Sequence, residues 1–289
     1  MKIRRVFTAI LVVGALSGSI SSVVFVPDAR AQGGTAREAA NRLVVVVQAR
    51  LDGAPVLGGG IIFGMNADRI YVLTANHLMR KGPTDAENVT VEIMALPGEQ
   101  IKAELLWNTD SALDVAVLMI RNVAAQGIPV GTIPLNTVRV TTSVETGDSV
   151  FLVGHPGAAR WVQHVKPDVV SQVVGEQITF QSSFVERGHS GGGLFTKDFA
   201  LLGMIVRDGP PTGRAVGVSR IIQSLLSWNF PVALSYSSPR EGRSAIPNAM
   251  KGPDAGGTTS PSVNSCDPIT VWDFSKYPPA SRIERRCIP

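Results

Sequence analysis

The sequence predicts an all-β domain, a barrel or a sandwich, and three observations carry that expectation. Roughly a dozen short runs rich in Val, Ile, Leu and Phe recur along the chain. Turn residues separate them, with 29 Gly and 19 Pro in 289 residues. Only 17% of residues are charged while 44% are hydrophobic, which fills a sizeable core and excludes wholesale disorder. Short strands punctuated in this way belong to barrels and sandwiches. The length allows one large or two modest domains.

The elements follow in order. Residues 35–42 form a short helix by pattern, and the β-branched run at 43–48 then reads as a buried strand. Further strands are expected at 60–64, 70–74, 89–95, 102–108 and 115–120. After the Gly147-Asp148 turn come 150–153, 172–174, 178–181, 193–195, 201–206 and 215–218. Residues 218–228 carry Ile221, Ile222, Leu225, Leu226 and Trp228 at helical spacing, an amphipathic helix that closes the domain.

Both ends differ from this body. Lys2, Arg4 and Arg5 precede an apolar run, and Ala29-Arg30-Ala31 has the small-x-small form of a signal-peptidase site. Residues 1–31 therefore read as a signal peptide, because Gly14, Gly18 and several serines break a stretch that otherwise approaches membrane-spanning length. Arg4-Arg5-Val6-Phe7 leaves Sec and twin-arginine export both open. Either route leads to a periplasmic or secreted protein that is not an integral membrane protein once cleaved. Residues 32–236 form the folded domain, and 237–265 a Pro/Gly/Ser-rich linker. Residues 266–289 form a small segment in which a Cys266–Cys287 disulfide would tie an aromatic loop.

The net positive charge is confined to those ends. The formal net charge is +4, but residues 1–31 hold four basic residues against the single acid Asp28. Residues 32–236 hold 16 basic against 17 acidic residues, so a nucleic-acid-binding basic face has no support. His155 and His164 lie nine residues apart with no Cys or acidic partner in register, which is no zinc pattern. No metal or cofactor is expected.

The chemistry concentrates in three segments. Gly188-His189-Ser190-Gly191-Gly192-Gly193 can present a serine hydroxyl on a tight turn. The same turn can aim the N–H groups of Gly188 and Ser190 at one oxyanion. His77 follows the hydrophobic run 70–74 after Ala75-Asn76, at the strand's exit into a loop, where a general base would be rigidly held yet accessible. Asp114 precedes the apolar strand Val115–Ile120 and is placed to orient His77, with Asp110 as its rival.

The order His77, Asp114, Ser190, with gaps of 37 and 76 residues, resembles the trypsin/chymotrypsin superfamily, closest to the bacterial HtrA (Deg)-like branch. The likeness lies in Gly58-Gly59-Gly60-Ile61-Ile62-Phe63, Leu73-Thr74-Ala75-Asn76-His77, Leu113-Asp114-Val115-Ala116-Val117-Leu118, Gly147-Asp148-Ser149-Val150 through Gly154-His155-Pro156, and Arg187-Gly188-His189-Ser190-Gly191-Gly192. Leu202-Gly203-Met204-Ile205-Val206 resembles the strand that walls the substrate cleft.

This resemblance implies two six-stranded antiparallel β-barrels with a C-terminal helix, and serine endopeptidase activity on protein or peptide substrates. Ser190 would be the nucleophile, His77 the base and Asp114 its orienting acid, with Gly188 and Ser190 forming the oxyanion hole. Phe184 would floor the substrate pocket, with Val206, Arg207, Asp208 and Gly217 as walls. A role in protein quality control also follows from the resemblance. Three departures stand out. His189 occupies a position where relatives carry Asp or Asn, which fits packing better than a second base. Gly193 replaces a frequent Pro or Ala. The 53 residues after Tyr236 are too few for the PDZ domain that usually follows.

Overall fold

Four consecutive valines, Val44 to Val47, are buried and begin strand β1 (Val44–Leu51). The computed structural model describes residues 29–163, 166–207, 209–236, 266–273 and 280–287, and it is mostly β. Asp52 and Gly53 connect β1 to β2 (Ala54–Met65) and have φ of 51° and 74°. Two successive positive φ values in a two-residue loop define the hairpin turn whose twist matches its strands. Strand β3 (Arg69–Ala75) pairs with β2, and both elements bury Ile and Val against the core.

The N-terminal sheet is completed by β4 (Glu87–Glu92), β5 (Ile101–Lys102), β6 (Glu104–Asp110) and β7 (Val115–Arg121). Its order is β5-β4-β1-β2-β3-β7-β6. The two outer strands, β5 and β6, are separated in sequence only by Ala103, whose N–H donates to the Val89 carbonyl at 3.0 Å. The sheet thereby curls back on itself. The expected strand at 102–108 is split at this residue. Strand β7 is buried from Val115 to Ile120, as its continuous apolar run demands.

The second sheet contains β8 (Ser149–Gly154), β9 (Asp168–Val174), β10 (Gln177–Gln181), β11 (Gly193–Thr196), β12 (Leu201–Arg207) and β13 (Thr212–Gly217). Ladders run β8–β9–β10–β13–β12–β11 and return from β11 to β8, a closed six-strand barrel. Its interior holds Val150, Leu152, Val170, Ile178, Phe180, Leu194 and Ile205. Each buried side chain of that size contributes about 1.5–3 kcal/mol relative to leaving it in water.

Helix α1 (Ala29–Leu43) starts earlier than the expected 35–42. Helix α2 (Asn76–Met79) is a single turn at the exit of β3. Helix α3 (Val218–Ser227) follows β13 and buries Val218, Ile221, Ile222 and Leu225. The chain after α3 returns to the first sheet, where the Phe230 ring lies 5.9 Å from Phe63 and 5.4 Å from Tyr71. The segment after α3 thus ties the two halves together. At the C-terminus, Cys266–Asp273 and Ala280–Cys287 pair as a two-stranded hairpin rather than an irregular loop. The expected signal peptide up to Asp28, the 237–265 linker and His164 lie outside the described residues.

Candidate active site

The end of β3 and the start of β7 bring His77 and Asp114 together, while Gly59 of β2 and Thr74 of β3 pack against the Gly-rich turn before β11. His77 is the second residue of α2, and the buried neighbours Leu78 and Met79 anchor that turn. Asp114 sits immediately before β7 at φ 59°. A left-handed conformation is costly for a residue with a side chain and persists where surrounding bonds impose it. Three such bonds are present. The Asn76 N–H donates to the Asp114 carbonyl at 3.0 Å. The His77 backbone N–H donates to Asp114 Oδ1 at 2.8 Å. Asp114 Oδ2 lies 2.6 Å from His77 Nδ1.

This pairing fixes the imidazole and leaves its Nε2 as the nitrogen for proton transfer. The His77 side chain is 46% exposed, so it faces solvent from a rigid mount. Asp110, the rival acid, is engaged elsewhere: its Oδ1 accepts the N–H groups of Ala112 and Leu113, both at 3.0 Å. Asp110 shapes the turn that delivers Asp114 to His77.

Ser190 lies on a turn clamped from both sheets. The His189 N–H donates to the Glu186 carbonyl at 3.2 Å, and Gly188, third residue of that turn, has φ 106°. A positive φ at the third position is a type II turn, which favours glycine. A Cβ on Gly188 would come within 2.2 Å of the His155 carbonyl oxygen. The Ser190 carbonyl accepts the Gly59 N–H of β2 at 2.7 Å, while the Gly59 carbonyl accepts the Thr74 hydroxyl of β3 at 2.7 Å. Gly59 backs directly onto Gly192, so the seam between the sheets runs beneath the Ser190 turn. Ser190 is 2% exposed.

A second set of bonds orients the turn from the side. The His155 N–H donates to the Gly188 carbonyl at 3.1 Å, and the Gly157 N–H to the Arg187 carbonyl at 3.3 Å. In a trans peptide the N–H points opposite to the preceding carbonyl, so the Gly188 N–H is directed away from this loop. His155 is itself buried. Its Nε2 lies 2.9 Å from the Val45 carbonyl, and its Nδ1 accepts the Trp161 backbone N–H at 3.0 Å. These roles require the neutral ring, and burial pushes its pKa down to about 4. His189 is also buried, its ring against Gly154 and its Nδ1 beside the Glu186 backbone.

A cleft of about 370 Å³ opens on the Asp114 side, lined by His77, Ala112, Leu113, Asp114, Gln177, Val206, Arg214, Ala215 and Val216. Val206, expected as a pocket wall, is among the residues lining this cleft. Gly217 instead lines a smaller, separate cavity with Glu176 and Ser219. Phe184, expected as a floor, is 56% exposed and is not among the residues lining the cleft. Arg207 ends β12 opposite Arg214, and Asp208 lies outside the described residues. Gln177 and Arg214 escape sequence reading because only the β10–β13 ladder sets them in one wall of the cleft. No cluster of metal-ligating side chains occurs among the described residues.

Known proteins share this arrangement of elements. The trypsin-like peptidase domain family matches residues 58–204, which span the Gly59 seam, His77, Asp114 and Ser190. This chain belongs to that family. The periplasmic pH-dependent serine endoprotease DegQ of Escherichia coli is 26% identical over 178 residues, covering 58% of this chain. The chain spans 35% of the length of DegQ. Among solved structures, the serine endoprotease from Yersinia pestis superposes with a TM-score of 0.52 at 23% identity, over 68% of this chain and 65% of the other. The active form of the Rv3671c protease from M. tuberculosis gives 0.53 at 20% identity, over 78% and 99%. At these identities the structural likeness establishes the fold.

Proposed function

We propose that the chain is an exported serine endopeptidase that hydrolyses peptide bonds through an acyl-enzyme, with His77, Asp114 and Ser190 as its triad. The observation that carries this reading is the His77–Asp114 pair, in which one carboxylate oxygen holds the ring and the other the backbone of the same residue. With Nδ1 committed to Asp114, Nε2 takes the proton from Ser190 Oγ as it attacks the substrate carbonyl. The N–H groups of Gly188 and Ser190 receive the tetrahedral oxyanion. His77 then passes its proton to the leaving amine, and water hydrolyses the ester by the reverse sequence. The type II turn at Gly188 supports this assignment because it turns the Gly188 N–H away from the 155–157 loop.

Export rests on the signal-like residues 1–31 and agrees with the periplasmic location in the name of DegQ. In this reading residues 32–236 are the peptidase domain, 237–265 a linker and 266–289 a disulfide-closed hairpin. A role in protein quality control rests on the same likeness. No helix among the described residues is long and apolar enough to cross a membrane.

A latent or non-catalytic binding protein on the same fold is the second reading, and the burial of Ser190 favours it. A fluorophosphonate active-site probe decides between them. Labelling of the processed protein, absent in Ser190→Ala, is the expected result. A folded, processed protein that does not label, and cuts no peptide, overturns the peptidase reading.

A further inference from the structure

We infer that Arg214 selects an acidic residue in the substrate, two to four positions from the scissile bond; this rests on the peptidase reading above. Among the described residues, three ionisable side chains line the cleft: His77, Asp114 and Arg214. Asp114 directs one carboxylate oxygen to the His77 ring and the other to its backbone N–H. Its charge is therefore committed to the imidazole. Among the described residues, Arg214 forms no ion pair.

Among the described residues, the strands flanking Arg214 place no acid opposite it. Residues directly opposite in antiparallel strands share a face. Arg214 stands opposite Thr179 on β10 and opposite Arg207 on β12, so its row in the register is Thr, Arg, Arg. The other cleft side chains are the amide of Gln177 and the apolar groups of Ala112, Leu113, Val206, Ala215 and Val216. A guanidinium on a half-apolar wall binds a carboxylate through paired, charge-assisted hydrogen bonds, and the reduced water around it strengthens them.

Position follows from reach. An extended peptide advances about 3.3 Å per residue. His77 borders both the reacting carbonyl and this cleft, so a side chain reaching Arg214 lies a few residues from the bond cut. The substrate class is thus a peptide with Asp or Glu near the scissile bond.

The test uses internally quenched peptides on one scaffold, carrying Asp, Asn or Lys at each position from four before to four after the scissile bond. For the wild type, kcat/KM at one position should favour Asp over Asn by about three- to tenfold, with Lys lower still. The preference should weaken as salt rises, since the pair is partly solvated. In Arg214→Gln the Asp:Asn ratio should fall to about one, and in Arg214→Glu Lys should become the preferred residue. Arg214→Lys should keep part of the preference, which a purely structural role would not predict. Cleavage without any acidic preference, or a preference unchanged in both Arg214→Gln and Arg214→Glu, overturns the inference and leaves the peptidase reading standing. A wild type that neither labels with the probe nor cuts any peptide overturns both.

Discussion

Asp114 grips His77 twice, with Oδ2 2.6 Å from the ring Nδ1 and Oδ1 accepting the backbone N–H at 2.8 Å. The two bonds do different work. The backbone bond fixes where His77 sits, and the ring bond fixes the tautomer and, in the proposed mechanism, would stabilise the imidazolium. Asp114→Asn preserves an acceptor for one bond but removes the charge facing the ring. We expect kcat on a peptide substrate to fall by roughly 10,000-fold with little change in Tm, as in trypsin-type triads. Asp110→Asn keeps the Oδ1 acceptor for Ala112 and Leu113, so its kcat should stay within about threefold of wild type.

Gly188 has no room for a side chain. Alanine there meets the His155 carbonyl oxygen and must also hold φ near 106°. The least costly response is to flip the turn, which withdraws the Gly188 N–H from the oxyanion. Gly188→Ala should therefore lose about 100- to 1,000-fold in probe-labelling rate while the fold survives. A near-normal rate in a folded variant would remove Gly188 from the oxyanion hole.

The residues proposed to carry the chemistry stand out in the sequence because they sit in short motifs at strand ends. A base after a strand, an acid before one and a serine among glycines need only local patterns. Strand positions were legible for the same reason: Val44 to Val47 and Val115 to Ile120 cannot be solvated. What stayed hidden depends on pairing between distant segments. Arg214 becomes a cleft residue only through its ladder with Gln177–Gln181, and Phe184 faces solvent although its spacing from Ser190 suggested a pocket floor. The role of His155 was equally hidden. A histidine beside a Pro-Gly turn reads as a surface residue until Val45 and Trp161 close around it.

The seam beneath Ser190 offers a stability test. The buried Thr74 hydroxyl donates to the Gly59 carbonyl, and the Gly59 N–H donates to the Ser190 carbonyl. Thr74→Val matches the shape but removes the donor. Leaving that carbonyl short of a partner should cost about 1–3 kcal/mol in chemical denaturation. Labelling of Ser190 should slow as well, because the same glycine positions the nucleophile turn.

The C-terminal hairpin sets Cys266 opposite Cys287 in its register. Directly opposed residues of an antiparallel pair have Cα atoms about 4.5–5.5 Å apart, within the span of a disulfide. Protein recovered from an oxidising compartment should therefore show an intact mass lower by two hydrogens. Reduction should raise that mass without moving the Tm of the 32–236 domain. Two free thiols in such material would refute the pairing.

His155 makes folding stability depend on pH, and the sign follows from its two bonds. Nε2–H donates to Val45 and Nδ1 accepts from Trp161, so the folded protein holds the neutral ring. Burial pushes the pKa down to about 4 against an unfolded value of 6.5; Arg160 and His189 push the same way, whereas the Val45 bond and Glu92 oppose it. The unfolded chain then binds more protons between these values, so stability must drop as pH falls. The contribution is complete above about pH 6.5, declines by up to about 1.4 kcal/mol per pH unit, and is exhausted near pH 4, on the order of 3 kcal/mol in all. Urea melts at several pH values across that window should show this slope in the wild type. His155→Gln, which has no proton to gain, should be less stable at neutral pH and flatter on the acid side. Because the backbone N–H of the same residue holds the Gly188 carbonyl, activity should decline on the same acid limb as this support is lost. An unchanged acid slope in His155→Gln would assign the pH dependence to other groups.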